Sequence, residues 1–178
     1  MIEKPDLTEF AKLMKAADAG DKEAQELLAF RLIKGLGVER NLTAAAGYYE
    51  RAANQGSVVA QHNLASMYLN GDGVPRNVDL ARQWFERAAQ SDDVDAQFNL
   101  AMIYDKWSSP QDLITALKWY ERAVKNGSAR AQYDLAAIYH HGRGIDADIR
   151  AAIYWYGKAA DQGLKKAAEN VEALSSMI

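Results

Sequence analysis

The chain has 178 residues, the length of one domain at about 150 residues per domain, and its 49% hydrophobic and 25% charged residues describe an ordinary folded protein. Lys+Arg number 21 against 24 Asp+Glu, a net charge of -3, so the basic excess that phosphate neutralisation requires is missing and nucleic acid is not an expected partner. With no cysteine, disulfides, thiolate zinc sites, iron–sulfur clusters and cysteine nucleophiles are excluded by inventory.

The first ten residues, MIEKPDLTEF, are acidic where a signal peptide would be basic and then apolar. No run of about 18 apolar residues occurs anywhere, so a cytoplasmic protein with no membrane insertion is expected. In chain order the pattern predicts an N-terminal cap helix over 6–19, four two-helix units at approximately 21–56, 57–92, 93–127 and 128–163, and a C-terminal cap helix over 164–177. All of it belongs to a single domain spanning 1–178, with about ten helices in total.

The units rest on self-similarity. Ala24-Gln25 with Leu28, Ala60-Gln61 with Leu64, Ala96-Gln97 with Leu100 and Ala131-Gln132 with Leu135 recur at spacings of 36, 36 and 35 residues. Out of phase with these run Ala45, Ala81, Ala116 and Ala152, each followed by an aromatic pair: Tyr48-Tyr49, Trp84-Phe85, Trp119-Tyr120 and Trp155-Tyr156. In the first helix of each unit the alanine, the leucine and the residue four further on share one face, which is predicted to pack inward. In the second helix, small residues leave room for a neighbouring helix and the aromatics fill the gap. Gly35-Leu36-Gly37, Gly71-Asp72-Gly73 and Gly142-Arg143-Gly144 end the first helices, and Asn41, Asn77, Asp112 and Asp148 stand where N-caps of the second are wanted.

These residues resemble the Sel-one-like repeat (SLR) family, relatives of the tetratricopeptide repeat. Ala60 to Val74 meets the form Ala-Gln-x-x-Leu-Ala-x-x-Tyr-x-x-Gly-x-Gly-Val residue for residue, and Ala81 to Ala89 meets Ala-x-x-Trp-Phe-x-x-Ala-Ala. The expected class is all-α: an α/α solenoid, a right-handed superhelix, of four full two-helix repeats of about 36 residues with a half-repeat at each end. The third unit departs from the pattern, with Trp107-Ser108-Ser109 in place of Gly-x-Gly. Pro110 follows, so Ser109 is read as an alternative N-cap with Pro110 at the first helical position, and Trp107 as an exposed aromatic.

A solenoid of paired helices presents its first helices side by side on a concave face. At 100° per residue from the buried leucines, the outward positions include Glu26, Phe30 and Ile33; Val59, His62 and Leu69; Asp95, Phe98, Met102 and Asp105; and Arg130, Tyr133 and His140. Apolar side chains rimmed by acids suit a partner protein, with Phe98, Met102 and Tyr133 as anchors and Glu26, Asp95 and Asp105 steering a basic surface. The alternative is that curvature makes the same side chains partly core.

No catalytic residue, metal site or cofactor is expected. The adjacent His140 and His141 point about 100° apart on a helix and form no i, i+4 metal pair. The Gly-x-Gly sequences follow helices rather than strands and are turns. The resemblance implies a non-enzymatic adaptor or scaffold that binds a partner protein. It leaves open a dedicated inhibitor, such as a cytoplasmic immunity protein neutralising a bacterial toxin, and last a hydrolase, whose cysteine-rich relatives carry disulfides absent here. The sequence leaves a homo-oligomer open without indicating one.

Overall fold

The computed structural model describes residues 7–107 and 112–176. The described residues form ten α-helices and no strand: α1 (Leu7–Asp18), α2 (Lys22–Lys34), α3 (Leu42–Asn54), α4 (Val58–Asn70), α5 (Val78–Gln90), α6 (Val94–Trp107), α7 (Asp112–Lys125), α8 (Ala129–His141), α9 (Ile149–Asp161) and α10 (Lys165–Ser175). They group into two compact units, residues 1–91 with α1 to α5 and residues 92–178 with α6 to α10.

Seven of the ten described helices begin at a side-chain cap. Ahead of the first helices, the side chains of Asp21, Ser57, Asp93 and Ser128 accept the backbone N–H of the alanine in the following Ala-Gln, at 2.7, 2.9, 2.6 and 3.3 Å. Asn41, Asn77 and Asp148 cap α3, α5 and α9 in the same way. Asp112, expected as the N-cap of α7, is instead the first described residue of that helix, and its carboxylate lies in the first turn, where the helix dipole favours an acid. The expected N-cap at Ser109, Pro110 in the first helical position and the exposure of Trp107 all lie outside the described residues.

The Gly-x-Gly turns have two duties. The first glycine takes a left-handed conformation and closes the first helix, as where the Gly71 N–H donates to the Met67 carbonyl at 2.8 Å. The second makes room: a Cβ on Gly73, at φ +73°, would collide with the backbone carbonyl of Leu42 at the start of α3.

In residues 1–91, α4 packs against both α3 and α5, and α2 against α1 and α3. The inward stripe is buried at Ala24, Leu28 and Leu32 and at Ala60 and Leu64, with Tyr68 half-buried. The small residues Ala45, Ala52, Ala53, Ala81, Ala88 and Ala89 are buried where helices meet, and Tyr49 and Phe85 fill the space beside them. The glutamines of the Ala-Gln pairs are buried too. Gln25 Nε2 donates to the Ala17 carbonyl at 3.0 Å and Gln61 Nε2 to that of Ala53 at 3.2 Å, so each ties a first helix to the end of the preceding second helix.

In residues 92–178, α8 packs against α7 and α9, and α10 against α9. Leu100, Ile103, Tyr120, Leu135, Ile138 and Tyr156 carry the core. Gln97 accepts from Asn126 Nδ2 at 3.0 Å and Gln132 from Gln162 Nε2 at 2.9 Å. Asp92 stands at a repeat end where the corresponding residue is glycine in Gly56, Gly127 and Gly163, and it adopts the same left-handed conformation at φ 62°. Its carboxylate accepts from Arg122 at 2.9 Å, and that arginine holds the Asp92 carboxyl below its ordinary range. Among the described residues no helix is long and apolar enough to cross a membrane.

Candidate functional site

The residue after each Ala-Gln pair decides what the surface of the first helices looks like. In three repeats it is a ring, and that ring lies against the second aromatic of its own repeat: His62 on Phe85 at 5.6 Å, Phe98 on Tyr120 at 6.2 Å and Tyr133 on Tyr156 at 5.2 Å between centroids. In the first repeat the residue is Glu26, set near the buried Tyr49, so a carboxylate stands where the other repeats have a ring.

This packing sorts the predicted outward residues. Phe30, Val59, Asp95 and Arg130 are exposed, and Glu26, Ile33, His62, Leu69, Met102, Tyr133 and His140 are half-buried. Phe98 is core, 7% exposed, in a cluster with Ala101, Ala116, Tyr120 and Ile138. Met102 packs against that cluster and Tyr133 against the next, where its hydroxyl accepts from Asn170 Nδ2 at 3.3 Å. The three expected anchors are therefore wholly or partly core. The physical reason is that a first helix is covered by the second helix of its own repeat on a side that a single-stripe helical wheel leaves open.

Asp105 also differs from its expected role as a steering charge. Its side chain is 6% exposed and holds a bidentate pair with Arg143, 2.9 Å from Nη1 to Oδ1 and 3.1 Å from Nη2 to Oδ2. The Tyr120 hydroxyl donates to Asp105 at 3.5 Å, and burial first, then Asp134 and Asp105, push that phenol far above its usual range. Burial likewise raises the Asp134 carboxyl, against the pull of Lys106 and Arg143. His140 and His141, expected to diverge, stack with centroids 4.3 Å apart. Among the described residues no three His, Asp or Glu side chains are placed to hold a metal ion.

An open groove borders several of the predicted outward positions in residues 1–91. A groove of about 450 Å³ runs between α2 and α4, walled by Glu23, Glu26, Leu27 and Phe30 from α2 and Val59 and Asn63 from α4, with Tyr49 of α3 at its floor. Leu27 is 45%, Phe30 44% and Val59 57% exposed, an unusual concentration of apolar surface for neighbouring side chains. Asn63 Nδ2 donates to the Val59 carbonyl at 2.9 Å and keeps its amide on the wall. Burial and then Glu26 push the Tyr49 phenol up to about 12, so the floor is a neutral hydroxyl beside a carboxylate. Sequence reasoning found Glu26, Phe30 and Val59. It missed Leu27 and Tyr49 as groove residues; the signal for Leu27 was its place beside Leu28, since two adjacent helical residues cannot both centre on the buried face.

Stretches 22–57, 58–93, 94–128 and 129–164 each match the Sel1 repeat. Among solved structures, an SLR-fold protective antigen present in uropathogenic Escherichia coli strains is 33% identical with a TM-score of 0.85, over 93% of this chain and 36% of that one. The chain thus spans only about a third of the antigen's length. A Sel1 repeat protein from Oxalobacter formigenes is 30% identical with a TM-score of 0.82, over 94% of this chain and 70% of that one. The immunity protein Pa5087 of Pseudomonas aeruginosa shares the fold at 21% identity and a TM-score of 0.55, over 94% and 64% of the two chains. No curated protein matches the chain significantly. With four matched repeats covering most of its length, the chain belongs to the Sel1 repeat family.

Proposed function

We propose that this protein is a non-enzymatic adaptor or scaffold that holds a partner protein against the surface of its first helices, with the α2/α4 groove as a principal contact. Sel1 repeat proteins are protein-interaction modules. The observation that carries the reading is the groove itself: Leu27, Phe30 and Val59 lie side by side and half-exposed, while the matching ring positions of the other repeats are filled from within. Apolar anchors with a charged rim are the anatomy of a protein-binding patch.

The test is capture of partners from the native source with wild type and with Val59→Asp, a change at a position 57% exposed. Loss of a specific partner with unchanged helicity supports the reading. An identical partner set for both proteins overturns it for this face. The second reading, a dedicated inhibitor, uses the same face and is prompted by the name of the Pseudomonas neighbour. A single partner with very slow release, whose activity the chain suppresses, favours the inhibitor; several exchanging partners favour the scaffold.

A further inference from the structure

The groove beside Tyr49 coincides with one difference between repeats. Where His62, Phe98 and Tyr133 each lay a ring on the aromatic of the second helix, Glu26 offers a carboxylate, and a groove lined by Glu26, Leu27, Phe30 and Val59 runs beside the buried Tyr49. No cation among the described residues pairs with Glu26, and Glu23 beside it, with a side chain 77% exposed, has only Lys22 at 3.5 Å. A partner that closed over this groove with a neutral or acidic side chain would bury the Glu26 charge unpaired, which is strongly unfavourable.

Resting on the reading of the chain as a protein-interaction module, we propose that the groove receives an arginine side chain from the partner protein, with its guanidinium between the carboxylates of Glu23 and Glu26. The stem of that arginine and an adjacent apolar residue lie against Leu27, Phe30 and Val59. A guanidinium suits the site better than an ammonium because its planar fork meets carboxylates in pairs and its face stacks on aromatic rings. The chain already uses both contacts internally. Arg51 lies over the Tyr48 ring at 4.3 Å and Arg87 over Trp84 at 4.4 Å, and Asp105 is closed over by Arg143 in bidentate geometry. At Asp105 the chain supplies the arginine; at Glu26 the partner does.

The experiment titrates Nα-benzoyl-L-arginine amide, which joins a guanidinium to an apolar ring, into the isotopically labelled full chain and follows the Leu27 and Val59 methyls by NMR. Saturable shifts centred on the groove are expected, weaker for the lysine analogue. Glu26→Gln should weaken the probe at least about tenfold, the loss of one charge-assisted contact. Glu26→Phe, which copies Phe98 into the first repeat, should fill the groove and abolish the shifts in a chain of unchanged helicity. Absence of shifts at these methyls up to the solubility limit, or equal affinity for Glu26→Gln, overturns the arginine site. Partner capture separates the two levels: a partner lost with Val59→Asp but kept by Glu26→Gln removes the arginine and leaves the interaction reading, whereas one kept by both removes the reading.

Discussion

The side-chain amide of Gln55 donates to the buried oxygen of Gln25 at 2.9 Å, and the corresponding place in the next repeat is held by Ser91. A serine is too short to span that gap, and the Gln61 Oε1 is buried without a partner. Asn126 and Gln162 make the equivalent bond to Gln97 and Gln132. Ser91→Gln is therefore expected to supply the missing donor and to stabilise the protein by about 1 kcal/mol, the net worth of a typical hydrogen bond. Urea unfolding reads this as a raised midpoint; an unchanged or lowered midpoint shows that the new amide does not reach Gln61.

Two phenylalanines at outward positions should behave oppositely. Phe98 is 7% exposed and Phe30 44%. Phe98→Ala is expected to cost about 3–5 kcal/mol by opening a cavity against Tyr120, and Leu100→Ala about 2–5 kcal/mol for the same reason. Phe30→Ala should cost under about 1 kcal/mol, in the range of surface substitutions. Denaturant curves of the three variants decide it, and equal losses for Phe98→Ala and Phe30→Ala would contradict the packing described for α6.

Gly73 and Gly20 both have positive φ, +73° and +101°, but only Gly73 is crowded. An alanine at either pays the backbone strain; at position 73 it must also displace the start of α3. Gly73→Ala is expected to be more destabilising than Gly20→Ala by about 1–3 kcal/mol, the cost of overpacking. Thermal melts of the two variants isolate that steric difference, and equal melting temperatures would show that the Leu42 backbone yields freely.

Asp134 gives a pH dependence with a definite sign. Burial raises its carboxyl above the ordinary 3.8, with Asp105 adding to the rise and Lys106, Arg143 and the Tyr120 hydroxyl opposing it. A group that binds its proton more tightly when folded weakens the fold as pH climbs from 3.8 through the raised value. Asp134→Asn is expected to be more stable than wild type at neutral pH, with the advantage fading below 3.8, where both states of Asp134 are protonated. Stability curves at several pH values check this. A gain that persists unchanged into acid would assign the effect to something other than ionisation.

Most of the helix starts were legible because they are local. Asn41, Asn77 and Asp148 lie within three residues of the N–H groups they cap, and spacing alone reveals them. The buried stripe of Leu28, Leu64, Leu100 and Leu135 was equally plain, since it repeats at helical period in four copies. The caps Asp21, Ser57, Asp93 and Ser128 went unread although the same rule covers them.

By itself the sequence determined the all-α class, the repeat and its family, and the inward face of each helix, because periodicity and capping act over a few residues of one chain segment. Only the tertiary structure decided which outward positions are free. Glu26 and Phe98 occupy the same place in their repeats, yet one borders an open groove and the other is core. Asp105 and Glu26 are both carboxylates on first helices, yet one is closed over by Arg143 from 38 residues away. Those outcomes depend on which ring or guanidinium arrives from another helix, a contact between residues distant in sequence that no local pattern encodes.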